Sequence, residues 1–385
     1  TLVSKIRLWF QYIAIMKISV FAFALITTPT VVAFIPAPVG NHAKIIRSSL
    51  FAVARRQPLI HVDDDSDDNA IMEPCVAREG KFTDHKADEK FFKNLPYGCK
   101  LHGVDKLREE GLTGKGVRVA VIDSGVDADH PGFHDMVKQQ EWFRYGRPLS
   151  KDDHGTHVAG TIHMMAPEAE IYDYRVFGSK GVKTDTAIER AIRQAVYDGC
   201  DVINMSLGGP RASWGIGRSV RYAHSKGIPM LVAAGNEGDD NPLTNEQSYP
   251  AMRREVISIA AVGKKDDLPV ADFSNGNPQV DYSGIGVDVY SFLPGGGFQQ
   301  MSGTSMATPH VCGVVTALLT EGGPYRKKVY NDKTLRRVLK ELAIDIGVTG
   351  PDNATGLGFL SYLTYDEYKA LTRKTSYWAK RWFRP

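Results

Sequence analysis

The chain has 385 residues, of which 43% are hydrophobic and 24% are charged, and its formal net charge is +3. This size and composition are typical of a globular protein with one large domain and appendages, and so small a charge does not indicate nucleic acid as a partner. Four cysteines are too few for a disulfide scaffold, so the fold must rest on its core. We expect Cys200 and Cys312 to be buried thiols, because both lie inside apolar or helical patterns.

The N-terminal region, residues 1–60, is predicted to be a targeting presequence. Residues 16–33 form an apolar run with one lysine and end in small residues, as a signal peptide does; a membrane-spanning helix is the alternative. Residues 34–60 are basic and contain no acidic residue, as in transit peptides. The junction of Ala33 and Phe34 resembles the two-part presequence of algae with complex plastids. This resemblance implies entry into the secretory pathway and import into a plastid, with plain secretion as the alternative.

Residues 61–96 are predicted to be an acidic linker or short pro-region. They open with HVDDDSDD, a run that is far more typical of a solvated linker than of a metal site. The body of the chain covers residues 97–365. A basic, aromatic tail follows at 366–385, and we expect it to dock as a strip against the domain rather than to contact a membrane.

Short apolar strands alternate with amphipathic helices through the body of the chain. The predicted strands are rich in β-branched residues and bounded by glycine or charge: Val117–Ile122, Ile171–Val176, Val202–Ser206, Met230–Ala234, Val256–Val262 and Val289–Phe292. The helical spacing of apolar residues predicts helices over 186–198 and 333–345, with a capping box formed by Thr186 and Glu189. Near-continuous apolar strands indicate a mostly parallel sheet that is covered on both faces, so the fold class is a three-layer α/β domain.

Three motifs carry chemistry. Asp123 ends the first strand and is followed by Ser124-Gly125; His154 opens the run HGTHVAG; and Ser305 lies in GTSMATPH, where a loop turns into a helix. A serine becomes a nucleophile when an imidazole takes its proton, and a buried carboxylate stabilises the imidazolium that forms. The order Asp, His, Ser along the chain is the subtilisin order.

These segments resemble the signature segments of the subtilisin family, the subtilases, from about Tyr97 to Leu363. The resemblance implies a subtilisin-like fold and a serine endopeptidase in which Asp123 orients His154, His154 is the base and Ser305 is the nucleophile. It makes Asn236 the side-chain donor to the oxyanion, together with the backbone amide of Ser305. It also implies these substrate-binding residues: Ser206, Leu207, Gly208, Gly181, Val182, Lys183, Ala233, Gly235 and Ser248. Ser248 falls near the floor of the first specificity pocket and carries no charge, which favours a neutral or apolar side chain at the cleaved position.

No cofactor is expected. Between Gly160 and Pro167 the chain lacks the longer loop that holds a tight calcium ion in bacterial subtilisins, so we expect that site to be absent. The expected partners are polypeptide substrates, with no nucleic acid and with membrane contact only through an uncleaved presequence; we expect a monomer. The main alternative is a catalytically silent or zymogen-like binding module of the same fold. A metal hydrolase lacks support because the HExxH pattern is absent, and a nucleotide-binding protein because no P-loop or dinucleotide motif occurs.

Overall fold

A nine-stranded sheet organises the computed structural model, which describes residues 95–145, 153–239, 244–265, 267–329 and 331–382. All of these residues belong to one unit. The helices are α1 (Tyr97–Leu101), α2 (Val104–Glu109), α3 (His154–Met165), α4 (Thr184–Tyr197), α5 (Trp214–Ser225), α6 (Thr304–Leu318), α7 (Asp332–Leu342) and α8 (Tyr365–Trp382). The strands are β1 (Arg118–Asp123), β2 (Val137–Trp142), β3 (Arg144–Tyr145), β4 (Glu170–Arg175), β5 (Lys180–Gly181), β6 (Val202–Met205), β7 (Met230–Ala233), β8 (Ile257–Val262), β9 (Val280–Ile285), β10 (Val289–Leu293), β11 (Gly297–Met301), β12 (Ala343–Ile344) and β13 (Phe359–Leu360).

The strand order is β12-β13-β9-β8-β7-β6-β1-β4-β2. Every neighbouring pair is parallel except β12 with β13. In the register of β1 with β4, Val121 lies beside Asp173 and Asp123 lies beside Arg175. The prediction of a mostly parallel sheet in a three-layer α/β domain is confirmed.

Each face of the sheet is covered by its own apolar core. Val119 and Val121 of β1 point to a core that includes residues of α3 and α6, whereas Ala120 and Ile122 point to a second core with α4 and α5. This alternation follows from the two-residue period of a strand. Asp123 has the same parity as Val121, so its carboxylate lies on the side of α3 and α6.

The strand predictions hold within one or two residues at each end, with one difference in placement. The predicted strand Val289–Phe292 is expected in the main sheet, but the observed strand Val289–Leu293 pairs antiparallel with Gly297–Met301 in a separate hairpin. Its place in the sheet belongs to Val280–Ile285, whose sequence VDYSGI is interrupted by polar residues and glycine. The edge strand Val137–Trp142 also escaped prediction, because VKQQEW is largely polar.

Both predicted helices form, but one cap was wrong. Helix α4 begins at Thr184, two residues before the predicted start, so Thr186 lies inside the helix; the residue that precedes the helix, Lys183, makes no side-chain capping bond. The capping box is found instead at α7, where Asn331 and Thr334 exchange hydrogen bonds.

Three cysteines, Cys99, Cys200 and Cys312, are buried free thiols, which confirms the expectation for Cys200 and Cys312. The presequence, the acidic linker and Cys75 lie outside the described residues. The C-terminal tail was predicted to be a docking strip, and the structure has the helix α8 there, with Tyr368 buried. Among the described residues, no helix has the length and apolar character needed to span a membrane.

Candidate active site

Asp123 lies at the carboxyl end of β1 and is 1% exposed. Its Oδ1 accepts a hydrogen bond from the backbone amide of Ser124 at 2.7 Å and lies 2.8 Å from Nδ1 of His154. Sites collect at the carboxyl ends of strands in parallel sheets, and Asp123 has such a position. The buried carboxylate therefore fixes which nitrogen of the imidazole carries a proton: Nδ1–H donates to Asp123, and Nε2 is left as the basic nitrogen.

His154 is the first residue of α3, and close backbone packing sets its position. The amide of Gly155 donates to the hydroxyl of Ser124 at 3.0 Å. A Cβ at Gly155 would collide with the backbone of Gly125, so only glycine lets the helix start this near the end of β1. The small residues of both motifs thus hold the imidazole against the carboxylate.

Ser305 is the second residue of α6 and is buried. Its hydroxyl donates to the carbonyl oxygen of Ser206 at 3.2 Å, and the hydroxyl of Ser206 donates back to the Ser305 carbonyl at 2.8 Å. The predicted position of a serine at a helix N-terminus is confirmed. The structure shows the hydrogen bond between Asp123 and His154 directly, whereas the Ser305 hydroxyl is directed to the segment that follows β6.

Asn236 is anchored through its oxygen, which leaves its nitrogen available. Its Oδ1 accepts from the backbone amide of Thr304 at 2.8 Å and from the Thr304 hydroxyl at 2.9 Å. Its Nδ2 is buried and has no hydrogen-bond partner among the described residues. An unsatisfied buried amide donor is costly in a folded protein, so it calls for an explanation in terms of function.

The loop that carries Asn236 is held in place by Asn275, a residue for which the sequence predicted no role. Asn275 is buried; its Oδ1 accepts from the amide of Glu237 at 2.7 Å, and its Nδ2 donates to the Glu237 carboxylate at 2.9 Å. Gly235 has a φ of +113°, and a Cβ there would collide with the Asn275 amide. Asn275 lies far along the chain between Ser274 and Gly276, and nothing in its local sequence indicates this contact.

The candidate substrate-binding residues fall into two places. Ser206, Leu207, Gly208, Ala233, Gly235 and Ser248 are all buried. The main chains of Gly209 and Tyr249 pair antiparallel, with hydrogen bonds of 3.0 and 2.7 Å, and this brings the hydroxyl of Ser248 against Gly208. The other three residues, Gly181, Val182 and Lys183, lie between β4 and α4, and Gly181 belongs to β5.

A second buried carboxylate, Asp173 on β4, was not predicted. Its Oδ2 accepts from the amide of Val126 at 3.2 Å, from Nε2 of Gln140 at 3.0 Å and from the indole of Trp142 at 3.4 Å. Burial, with a smaller contribution from the nearby Asp123, raises the pKa of Asp173 to about 7 in spite of these hydrogen bonds. This carboxyl group supports the loop that follows Asp123. The sequence does not reveal it, because IYDYRV has the pattern of an apolar strand.

His157, the second histidine of the HGTHVAG motif, packs inside the protein. Its Nε2 donates to the carbonyl oxygen of Val289 at 2.9 Å, and burial lowers its pKa to about 3. It is therefore neutral at ordinary pH and ties α3 to β10. Across the described parts of the chain, no three His, Cys, Asp or Glu side chains are grouped so as to hold a metal ion, and the expectation about calcium stays a prediction.

Comparison with known proteins agrees with this geometry. The Subtilase family of peptidases matches residues 114–358. Subtilisin E of Bacillus subtilis (strain 168) is 38% identical over 271 residues, which cover 66% of this chain and 69% of that protein. The major intracellular serine protease of the same strain is 33% identical over 294 residues, 70% of this chain and 88% of that protein.

Solved structures show the same relationship. A lanthipeptide protease superposes with a TM-score of 0.60 at 25% identity and covers 74% of this chain and 95% of its own. A psychrophilic protease named S41 gives a TM-score of 0.57 at 30% identity, over 65% of this chain and 93% of its own. Since the family match covers more than half of the residues and the relatives are proteases of one fold, the chain belongs to the subtilase family and is a serine endopeptidase.

Proposed function

We propose that the chain hydrolyses peptide bonds in polypeptides through an acyl-enzyme, with Asp123, His154 and Ser305 as its triad. The observation that carries this proposal is the 2.8 Å hydrogen bond between the buried Asp123 and Nδ1 of His154. It fixes the imidazole tautomer in which Nε2 accepts a proton. Ser305 supplies the nucleophile from the first turn of α6.

In the first step Nε2 of His154 removes the proton of the Ser305 hydroxyl as the oxygen attacks the peptide carbonyl. Asp123 stabilises the imidazolium that forms. The imidazolium then gives its proton to the leaving amine, and an acyl-Ser305 ester remains. Water, activated by the same imidazole, hydrolyses this ester and restores the serine.

The oxyanion of the tetrahedral intermediate needs donors that are already in place. We assign this role to Nδ2 of Asn236, which is buried and lacks a partner in the described part of the chain, and to the backbone amide of Ser305. The second residue of a helix has no intrahelical acceptor for its amide, so that donor is free by construction. Thr304 holds Asn236 by its oxygen, so the amide is oriented before substrate arrives.

The substrate is proposed to bind as an extended strand between two segments, Ser206–Gly208 and Gly181–Lys183. Main-chain pairing of this kind recognises flexible polypeptide rather than one sequence. At the cleaved position, the uncharged Ser248 favours a neutral or apolar side chain. The buried residues Ala233 and Gly235 complete that wall of the site.

A fluorophosphonate probe tests the proposal, because it reacts covalently only with an activated serine. We expect the parent chain to be labelled and Ser305→Ala not to be. Ser225→Ala, which removes an exposed hydroxyl on α5, is the matched control and should be labelled like the parent. A folded parent that resists the probe would favour the silent or zymogen-like alternative.

Plastid import through the secretory pathway remains a separate proposal, supported by the sequence of residues 1–60. A fusion of these residues to a fluorescent protein, expressed in an alga with complex plastids, would test it. Plastid fluorescence is expected, and release into the medium would support plain secretion instead.

A further inference from the structure

Arg144 joins two parts of the chain beside the proposed substrate cleft. Its strand, β3, pairs antiparallel with β5, with Arg144 opposite Gly181 and Tyr145 opposite Lys180. Its guanidinium donates to the Gly178 carbonyl oxygen from Nε at 3.0 Å and from Nη2 at 2.5 Å. Nη1 donates to the carbonyl oxygen of Val182. One half-buried side chain therefore binds both ends of the segment 178–182.

We propose that Arg144 is a positioning residue that holds the main chain of Gly181–Lys183 in place to pair with a polypeptide substrate. The inference rests on the proposed function, which makes this segment the second substrate-binding strand. A strand has two hydrogen-bonding edges. Strand β3 occupies one edge of Lys180–Gly181, so a substrate pairs with the other and β3 supports the pairing from behind.

The segment needs such support because most of its side chains are exposed and contribute little packing. Lys180, Gly181 and Lys183 are exposed, and Gly181 adopts a φ of +109°. Because glycine has no Cβ, it loses more conformational freedom on ordering than any other residue. Ordering a loop at the moment of binding costs affinity, and a loop ordered in advance avoids that cost. The contacts of Arg144 are all made to main-chain carbonyls of the loop itself, so they order the loop as the chain folds.

Packing supports the same assignment. Val182 lies against the apolar core that contains Phe177 and Leu207. Leu207 belongs to the other proposed substrate segment, so both sides of the cleft are fixed on one core. Val182 is therefore restrained twice: its side chain packs on the core, and its carbonyl oxygen accepts a hydrogen bond from the guanidinium of Arg144.

The chemistry of arginine separates positioning from simple charge attraction. A guanidinium is a planar fork with five donors and can serve two carbonyl groups at once, whereas a lysine ammonium is a point charge on a flexible chain. Arg144→Lys keeps the positive charge near the cleft and loses the fork. Arg144→Ala loses both. The exposed Arg221 on the outer face of α5 provides a matched control, Arg221→Ala.

The first measurement is amide hydrogen exchange of residues 178–183, made on the Ser305→Ala protein so that self-cleavage cannot interfere. We expect exchange to become roughly tenfold faster with Arg144→Ala, less so with Arg144→Lys, and to be unchanged with Arg221→Ala. Unchanged exchange in Arg144→Ala would overturn the inference. The melting temperature of the same samples shows whether the substitution destabilises the whole protein. Faster exchange throughout the protein, rather than at residues 178–183, would also overturn the inference.

The second measurement, in the active protein, compares kcat/KM for a peptide with four residues before the cut and for a single-residue ester with the same side chain at the cut. We expect the ratio of the two to fall about tenfold in Arg144→Ala, through KM, with an intermediate value for Arg144→Lys. Faster exchange with an unchanged ratio, or full rescue by lysine, would refute the positioning role. A parent that does not favour the longer peptide would refute the substrate strand of the proposed function, while the exchange experiment would still decide what Arg144 does to the loop.

Discussion

The buried carboxyl group of Asp173 should make the stability of this protein depend on pH in a way that one substitution removes. All three of its hydrogen bonds reach Oδ2, from Val126, Gln140 and Trp142. Its Oδ1 is buried and has no partner within the described residues. Burial therefore disfavours the charged form and raises the pKa of Asp173 from 3.8 to about 7.

The sign and the size of the effect follow from this shift. Between pH 4 and pH 7 the unfolded chain has released the proton of Asp173 while the folded protein still holds it. Folding is then favoured by low pH, and the contribution is lost as pH rises through the folded pKa. A rise of the pKa from 3.8 to about 7 corresponds to at most about 4 kcal/mol in the free energy of unfolding.

Asp173→Asn keeps an oxygen that accepts from Val126 and Gln140 and removes the ionisation. We expect the free energy of unfolding of the variant, relative to the parent, to rise by up to about 4 kcal/mol between pH 4 and pH 8. The comparison of slopes matters more than the absolute values, since the new NH₂ group also needs an acceptor. Urea unfolding at a series of pH values, in the Ser305→Ala background, measures this directly.

The exposed carboxylate of Asp267 is the matched control, and Asp267→Asn should follow the parent at every pH. If the curves of Asp173→Asn and the parent are parallel from pH 4 to pH 8, the reasoning is refuted. That result would mean that the Asp173 carboxyl does not change its proton affinity on folding.

Three further predictions concern other groups. Asn236→Ala should lower kcat by 10²- to 10³-fold, about 3–4 kcal/mol of transition-state stabilisation, with little change in KM. Steady-state kinetics on a peptide substrate tests this, and an unchanged kcat would show that Asn236 does not bind the oxyanion. Arg336→Ala breaks the 2.5 Å ion pair with Asp281 and leaves that mostly buried carboxylate without its cationic partner. The free energy of unfolding, measured in urea, should fall by about 2 kcal/mol, and an unchanged value would contradict this. Burial raises the pKa of the Cys99 and Cys312 thiols to about 12. Neither thiol should therefore react with a thiol reagent at pH 8 until denaturant is added, and rapid labelling of either one in the folded protein would disprove this prediction.

Sequence patterns predicted the parts of the fold that depend on local signals. The buried strand that ends at Asp123 and the serine at the start of α6 were both located, because apolar strand patterns and loop-to-helix turns depend on neighbours in the chain. The start of α4 was misplaced at Thr186, since a serine or threonine followed three residues later by glutamate fits a cap only if the chain enters the helix there. At α7 the pair Asn331 and Thr334 serves that purpose, although it lacks the usual glutamate or glutamine.

Contacts between distant segments were not predictable in the same way. Asn275 clamps the loop of Asn236 from about forty residues away, and Gln140 reaches Asp173 from an edge strand whose sequence is mostly polar. Neither contact leaves a local pattern, because it depends on which strands become neighbours. The order β1-β4-β2 is what brings Gln140 beside Asp173, and that order is a property of the whole sheet.

The two faces of the sheet have different tasks. The proposed base begins α3 and the proposed nucleophile begins α6, and both helices lie on the face to which Asp123 points. These two helices pack closely: a Cβ at Gly313 of α6 would collide with the side chain of Met165 of α3. Helices α4 and α5 cover the opposite face and contribute no residue of the proposed triad. Because the distance between base and nucleophile is set by how α3 and α6 pack, a change in that contact should alter kcat before it unfolds the protein. A change of equal size in the core under α4 and α5 should lower stability and leave kcat of the folded fraction unaltered.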